Sequence, residues 1–208
     1  MKPVNIYTDG ACSGNQHKAN IGGWGAILEY AGHEKELFGG EANTTNNRME
    51  MTALLAALRT LKKPDLHVRV FADSAYLLNC FRNKWYMNWR RNDWKTSKKE
   101  PVENRDLWEH LLEFLNIHKI SFFKVKGHVN PNGNDAALRA AYGKFLEWNG
   151  PGFDWDAFLH ATVMNNRADA LAGKGIAQIR AASDAASDVA GLVGAGETEE
   201  DFFGFEPL

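Results

Sequence analysis

The chain has 208 residues, 44% of them hydrophobic, and a formal net charge of −2. This length suits one domain, or one domain with a tail, and is sufficient for a hydrophobic core. Cys12 and Cys80 are too few for a disulfide framework, and neither a signal peptide nor a stretch long enough to span a membrane is present, which favours a cytoplasmic protein.

The first part of the chain predicts three strands followed by a helix. The strand predictions, joined by short glycine-containing connections typical of an antiparallel meander, cover residues 4–7, 21–30 and 34–38. A helix is predicted over 46–63, because leucines recur on one face. Asn46 or Asn47 can cap this helix, and Pro64 follows it.

The second part alternates strands and helices. The predicted elements are a strand at 67–72, a helix at 74–81, an amphipathic helix from residue 102, a strand from residue 120 and a last clear helix from about residue 166. Strands alternating with helices after a meander predict an α/β fold, with a five-stranded mixed sheet flanked by helices.

Charge divides the chain into two parts. Residues 1–180 carry 24 basic and 19 acidic side chains, whereas residues 181–208 carry seven acidic and no basic ones. We therefore predict one domain over 1–180 and a flexible acidic tail over 181–208. A mildly basic body with an acidic tail indicates a polyanionic partner.

Four acidic residues lie near predicted element ends: Asp9, Glu50, Asp73 and Asp169. Each alone is typical of a turn or a helix N-terminus. If the first and fourth strands are neighbours, however, Asp9 and Asp73 project side by side. Two carboxylates about 4 Å apart repel by roughly 4 kcal/mol at an effective dielectric constant of 20. Such a cluster requires shared protons or bound cations, and oxygen ligands favour Mg²⁺ or Mn²⁺.

A set of motifs in chain order closely resembles type 1 ribonuclease H, the bacterial ribonuclease HI branch. The motifs are YTDGACSGN, GGWGAIL, TTNNRMEMTALLAAL, FADSAY, WKTSKKEPVENRDLW, VKGH and NNRADALA. The resemblance implies a two-metal endonuclease that hydrolyses the RNA strand of RNA–DNA hybrids and leaves 3′-OH and 5′-phosphate ends. It also implies that Asp9, Glu50, Asp73 and Asp169 bind two Mg²⁺ ions, and that His128 carries a proton or assists product release.

The same resemblance assigns substrate-binding residues. Residues 82–105 hold eight Lys or Arg, three acids and interleaved tryptophans; a solvated face with packed tryptophans is the ordinary interpretation, but the family uses this basic protrusion to grip the DNA strand. The residues implied there are Lys84, Trp85, Arg90, Arg91, Lys95, Lys98 and Lys99. Contacts to the RNA 2′-OH groups are implied for Cys12, Gly14, Asn15, Asn46, Asn47 and Glu50, and a DNA phosphate contact for Thr45.

One insertion, at about residues 130–164, departs from the family pattern. It separates His128 from Asp169 and makes Asp135 a rival for the fourth carboxylate. We prefer Asp169, because NNRADALA matches the Asn-x-x-Asp-x-Leu-Ala run of the family. Residues 134–148 and 153–163 look helical, and the insertion either covers substrate or is a packed excursion.

Two other functions remain open: a nuclease of related fold acting on DNA, and a binding module without catalysis. We expect a monomer that processes RNA primers or hybrids arising in DNA replication and transcription, without membrane contact or an additional N-terminal domain. The acidic tail could be a docking peptide, a segment that folds onto its own domain, or a mimic of nucleic acid. Because a tail of charge −7 is joined to a body of charge +5, we expect it to dock to a protein partner or to weaken hybrid binding.

Overall fold

The computed structural model describes residues 2–13 and 20–194, with side chains up to residue 185. The five strands are β1 (Val4–Ser13), β2 (Ile21–Tyr30), β3 (His33–Ala42), β4 (His67–Ala72) and β5 (Lys119–Lys124). The helices are α1 (Asn46–Arg59), α2 (Ala75–Arg82), α3 (Trp85–Arg91), α4 (Arg105–Ile117), α5 (Asp135–Asn149) and α6 (Trp155–Gly194). In these ranges no helix is both long and apolar enough to cross a membrane.

The strands form one mixed sheet in the order β3-β2-β1-β4-β5. β1 is antiparallel to β2 and parallel to β4, and β4 is parallel to β5. Trp108 and Leu54 belong to a core on one face, and Phe145 and Phe158 belong to a core on the other. The predicted five-stranded α/β fold is confirmed, and β1 and β4 are neighbours.

The helix α1 has a different cap from the one predicted. The Thr45 side chain accepts a hydrogen bond from the Arg48 backbone N–H, so Thr45 is the N-cap and Asn46 is the first helical residue. Both Asn46 and Asn47 lie inside the first turn. The prediction that one of them caps α1 was therefore wrong, because a threonine was available just before the asparagines.

The last helix is longer at both ends than predicted. It begins at Trp155 instead of near Asn166, absorbs the short helix expected at 153–163, and continues to Gly194. Alanine is frequent over 161–190 and proline is absent there, which favours a continuous helix in spite of Gly173 and Gly175. Residues 181–194 of the acidic tail are thus helical rather than irregular, and residues 195–208 lie outside the described part.

The insertion forms α5 and the first turns of α6, and it covers the edge of the sheet at β5. The ring of Phe153, from the insertion, contacts the rings of the sheet residues Phe71 and Phe123 and that of Phe145 in α5. Asn149 accepts a hydrogen bond from the Lys124 backbone N–H and donates one to the Lys124 carbonyl, each at 2.8 Å. The insertion is therefore packed against the domain.

Candidate active site

Three carboxylates meet at the point where the parallel pairing of β1 with β4 ends. Thr8 pairs with Ala72 across these strands, so Asp9 and Asp73 come next on neighbouring chains. Glu50, in the second turn of α1, completes the group: one carboxylate oxygen from each of Asp9, Glu50 and Asp73 lies within 4.8 Å of the other two. The sequence prediction that Asp9 and Asp73 project side by side is met by this geometry.

The close approach of α1 to β1 depends on Gly10. A Cβ added at Gly10 would lie 2.3 Å from the Glu50 backbone nitrogen and 2.7 Å from the Met49 carbonyl carbon. Real Cβ atoms do not approach backbone atoms so closely, so only glycine allows α1 to lie against β1 here. Gly10 therefore helps to set the distance between Asp9 and Glu50.

Without a bound cation, the ionised forms of the three carboxylates repel one another, and burial opposes their ionisation further. Burial, together with the charges of Asp73 and Asp169, raises the pKa of Asp9 to about 8. Burial, followed by the charges of Asp9 and Asp73, also raises the pKa of Glu50. Burial raises the pKa of Asp73, although nearby His128 opposes this change. Protons or cations are therefore required to neutralise the cluster near neutral pH.

Asp169 and His128 complete the cleft. The Asp169 carboxylate lies 3.5 Å from Nδ1 of His128, and both side chains line the same cleft of about 500 Å³ as Asp9, Glu50 and Asp73. The sequence predicted that Asp169 lies near the start of a helix, but it lies in the middle of α6. Its position depends on the packing of α6 across β1, β2 and β3.

Asp135, the alternative fourth carboxylate, is not in this cleft. It is exposed in the first turn of α5, where its carboxylate accepts a 2.7 Å hydrogen bond from Arg139 one turn later. An i, i+4 pair of this kind is typical of a solvated helix surface. The geometry therefore favours Asp169 over Asp135.

Two asparagines of α6 have contacts that the sequence interpretation did not assign. Asn165 is 1% exposed and its amide donates a 3.5 Å hydrogen bond to Asp9, while its own Oδ1 has no protein partner in the described residues. Asn166 donates a 2.7 Å hydrogen bond to the Val129 carbonyl, next to His128. The sequence feature that could have indicated them is their spacing: Asn165 and Asn166 precede Asp169 by four and three residues on the same helix.

The residues implied for RNA contacts lie partly in the same cleft. Cys12, Asn46 and Asn47 line it, together with Glu50. Thr45 is exposed at the N-cap of α1. Gly14 and Asn15 lie outside the described residues.

The basic protrusion forms a separate surface. None of its cations lines the cleft. α3 begins after Lys84, and a short hairpin, closed by a bridge between Lys95 and Pro101, places Lys98 and Lys99 near its tip. The implied substrate-binding residues here are all exposed: Lys84, Trp85, Arg90, Arg91, Lys95, Lys98 and Lys99.

The tryptophans of this segment have different surroundings. Trp89 packs edge-on against Trp108 with ring centroids 5.5 Å apart, and Trp94 lies 6.5 Å from Trp89. These two rings anchor the protrusion to the main core, as expected for some of the tryptophans. Trp85 is 36% exposed and available for contact.

The chain is similar to proteins named ribonuclease H. A family model described as RNase H matches residues 1–144. A ribonuclease H of Moorella thermoacetica is 55% identical over 144 residues, which cover 68% of this chain and 92% of that protein. A ribonuclease H of Acetivibrio thermocellus is 54% identical over 141 residues, covering 68% and 93%. The family match ends inside α5, so it includes Asp135 and stops before Asp169.

Solved structures extend the similarity beyond that point. LC9-RNase H1, a type 1 RNase H with the type 2 active-site motif, is 25% identical with a TM-score of 0.55, covering 81% of this chain and 86% of that one. LC11-RNase H1, solved in complex with an RNA/DNA hybrid, is 18% identical with a TM-score of 0.50, covering 85% and 98%. At 18% identity, the similarity to LC11-RNase H1 shows a shared fold only.

Proposed function

Because the chain belongs to the ribonuclease H family, we propose that it is an endonuclease that hydrolyses the RNA strand of RNA–DNA hybrids with the help of two metal ions. One observation carries this proposal: Asp9, Glu50 and Asp73 meet within 4.8 Å in a cleft that Asp169 and His128 complete. A module that only binds nucleic acid does not require this costly group of buried acids.

The donor set fits Mg²⁺, with Mn²⁺ as a possible substitute. All four candidate ligands are carboxylates, which suit hard cations. The Glu50 Oε2 atom is buried and has no hydrogen-bond partner in the described residues, as expected of an atom meant for a ligand. When bound, two such ions activate water for attack on the RNA phosphate and stabilise the leaving 3′ oxygen, giving 3′-OH and 5′-phosphate ends.

The side chains of the cleft have distinct roles in this proposal. Asp9, Glu50, Asp73 and Asp169 hold the ions, and Asn165 orients the Asp9 carboxylate through its hydrogen bond. His128, whose side chain is 81% exposed beside Asp169, transfers a proton or assists the release of product. No covalent nucleophile is required.

Substrate recognition is divided between two surfaces. Cys12, Asn46, Asn47 and Glu50, which line the cleft, contact the 2′-OH groups that distinguish RNA from DNA, and the same role is proposed for Gly14 and Asn15. On the protrusion and at Thr45, the chain contacts phosphates of the DNA strand; the protrusion cations are Lys84, Arg90, Arg91, Lys95, Lys98 and Lys99, and Trp85 supplies an exposed ring.

In the cell, we propose a cytoplasmic monomer that removes RNA primers and other hybrids formed in replication and transcription. Two free cysteines, one of them buried, suit a reducing compartment. The acidic tail is proposed to dock to a protein partner or to weaken hybrid binding by competing for the protrusion.

The test is cleavage of a labelled RNA–DNA hybrid beside matched DNA–DNA and RNA–RNA duplexes, with Mg²⁺ or with EDTA. We expect Mg²⁺-dependent cutting of only the RNA strand, abolished by Asp73→Asn and by Asp169→Asn. Asp135→Asn is the matched control on α5 and should retain activity. Cutting of the DNA duplex would instead favour a DNA nuclease, and hybrid binding without cutting would favour a binding module.

A further inference from the structure

The loop that carries His128 is attached to α6 through the side chain of Asn166. Its amide nitrogen donates a hydrogen bond to the Val129 carbonyl oxygen at 2.7 Å. Val129 directly follows His128, and Asn166 precedes Asp169 by three residues on the same helix. The backbone next to the imidazole is thus fixed to the same helical turn that carries the carboxylate 3.5 Å from Nδ1 of His128.

This loop needs an external contact to hold its place over the cleft. His128 has a φ of 56°, in the left-handed region that non-glycine residues seldom adopt, and its side chain is 81% exposed. The residues after it form a turn in which the Asn132 N–H donates to the Asn130 side chain. Such local bonds shape the turn, but they do not fix its place over the cleft.

From these contacts we infer that Asn166 is a positioning residue for the reaction, holding His128 at the Asp169 side of the cleft. The inference rests on the proposed function, because its effect is expressed in RNA cleavage. In the described residues, Asn166 donates to the loop but makes no hydrogen bond to Asp9, Glu50, Asp73 or Asp169. Its removal is therefore expected to change the placement of His128 and to leave the carboxylates in place.

Asn149 offers a matched control for a merely structural role. Its side-chain amide also bonds to backbone groups, those of Lys124, and it also joins the insertion to the rest of the domain. It lies at the other end of α5 and does not line the cleft. A variant at Asn149 thus removes comparable backbone contacts without releasing the His128 loop.

The experiment compares steady-state hydrolysis of a labelled hybrid by the full chain and by the variants Asn166→Ala, Asn166→Gln, His128→Ala, Asn149→Ala and the double variant Asn166→Ala/His128→Ala. We expect His128→Ala to lower kcat about 100-fold. Asn166→Ala should lower kcat roughly 10-fold with little change in KM, since misplacing a reacting group by about 1 Å has effects of this order or larger. Asn166→Gln keeps an amide donor and should recover part of the loss.

The decisive comparison is the double variant. If Asn166 acts through His128, adding Asn166→Ala to His128→Ala lowers kcat no further. Mn²⁺ binding measured by calorimetry should be unchanged in Asn166→Ala, and Asn149→Ala should lower the melting temperature while kcat stays at the wild-type value.

Three results would overturn the inference. They are additive losses in the double variant, a wild-type kcat for Asn166→Ala, and an equal loss of kcat in Asn149→Ala. If the wild-type chain itself fails to cut the hybrid with Mg²⁺, the proposed function fails, and this inference fails with it. The wild-type measurement therefore separates the two failures.

Discussion

Replacing Asp9 by Asn is expected to stabilise the metal-free protein at high pH while abolishing cleavage. Asp9 is only 6% exposed, and its carboxylate lies within 4.8 Å of those of Glu50 and Asp73. At that separation each pair of ionised groups repels by about 3.5 kcal/mol at an effective dielectric constant of 20. Asparagine has nearly the same shape and removes this repulsion.

The pH dependence follows from the pKa of Asp9, which rises from 3.8 to about 8 on folding. An acid whose folded pKa is raised binds more protons in the folded state, so its contribution to stability is complete below about pH 4 and is lost as the pH rises to about 8. At about 1.4 kcal/mol per pKa unit, this loss is of the order of 6 kcal/mol. The repulsion and the raised pKa thus both lower the stability of the folded protein at high pH.

The assay is thermal unfolding in EDTA at about pH 5 and about pH 9, followed by the same scans with Mg²⁺. We expect Asp9→Asn to melt roughly 6–12 °C higher than the wild type at the higher pH, corresponding to about 3 kcal/mol, the order of the repulsion of one carboxylate pair. The gain should shrink at the lower pH, and also with Mg²⁺, which stabilises the wild type by binding its folded state. Asp135→Asn, which alters an exposed pair, should show no such gain. A lower melting temperature for Asp9→Asn in EDTA at high pH would refute the reasoning.

Three other predictions follow from the same structure. Gly10→Ala should push α1 away from β1 and abolish Mn²⁺ binding by calorimetry, so retained binding with wild-type affinity would contradict the role given to this glycine. Replacing Lys98 and Lys99 by Ala should weaken hybrid binding and reduce the slope of log affinity against log salt by about one to two, and an unchanged slope would remove the hairpin tip from the binding surface. Deleting residues 181–208 should strengthen hybrid binding at low salt; equal affinity there would discard competition by the tail.

Much of the fold was predictable because its signals are local. Strand alternation and leucine spacing indicated the elements, and the mixed sheet followed from their order. The site was partly predictable for the same reason: Asp9 follows the short apolar stretch at the start of β1 and Asp73 follows β4, so a pairing of β1 with β4 was enough to bring them together. The close passage of α1 at Gly10 depends on contacts between distant segments, and no local pattern indicates it.

The insertion and α6 show where local signals failed. The start of α6 at Trp155 depends on packing of Phe158 in the second core, which residue spacing near Asn166 does not reveal. The choice between Asp135 and Asp169 had to be made on a motif, because both follow asparagines near helical segments. The contact of Asn166 with Val129 depends on how the loop returns to α6, and only the folded chain displays it.

The side chain of Asn149 has a consequence for the behaviour of the protein in concentrated solution. β5 is the outer strand of the sheet, and unpaired backbone groups on such a strand can recruit a strand from another molecule. Asn149 occupies both backbone groups of Lys124, while Arg82 donates to the neighbouring Phe122 carbonyl at 3.0 Å. These two side chains occupy hydrogen-bonding groups that a further strand would use, so Asn149 of the insertion and Arg82 of α2 together protect this edge of the sheet against aggregation.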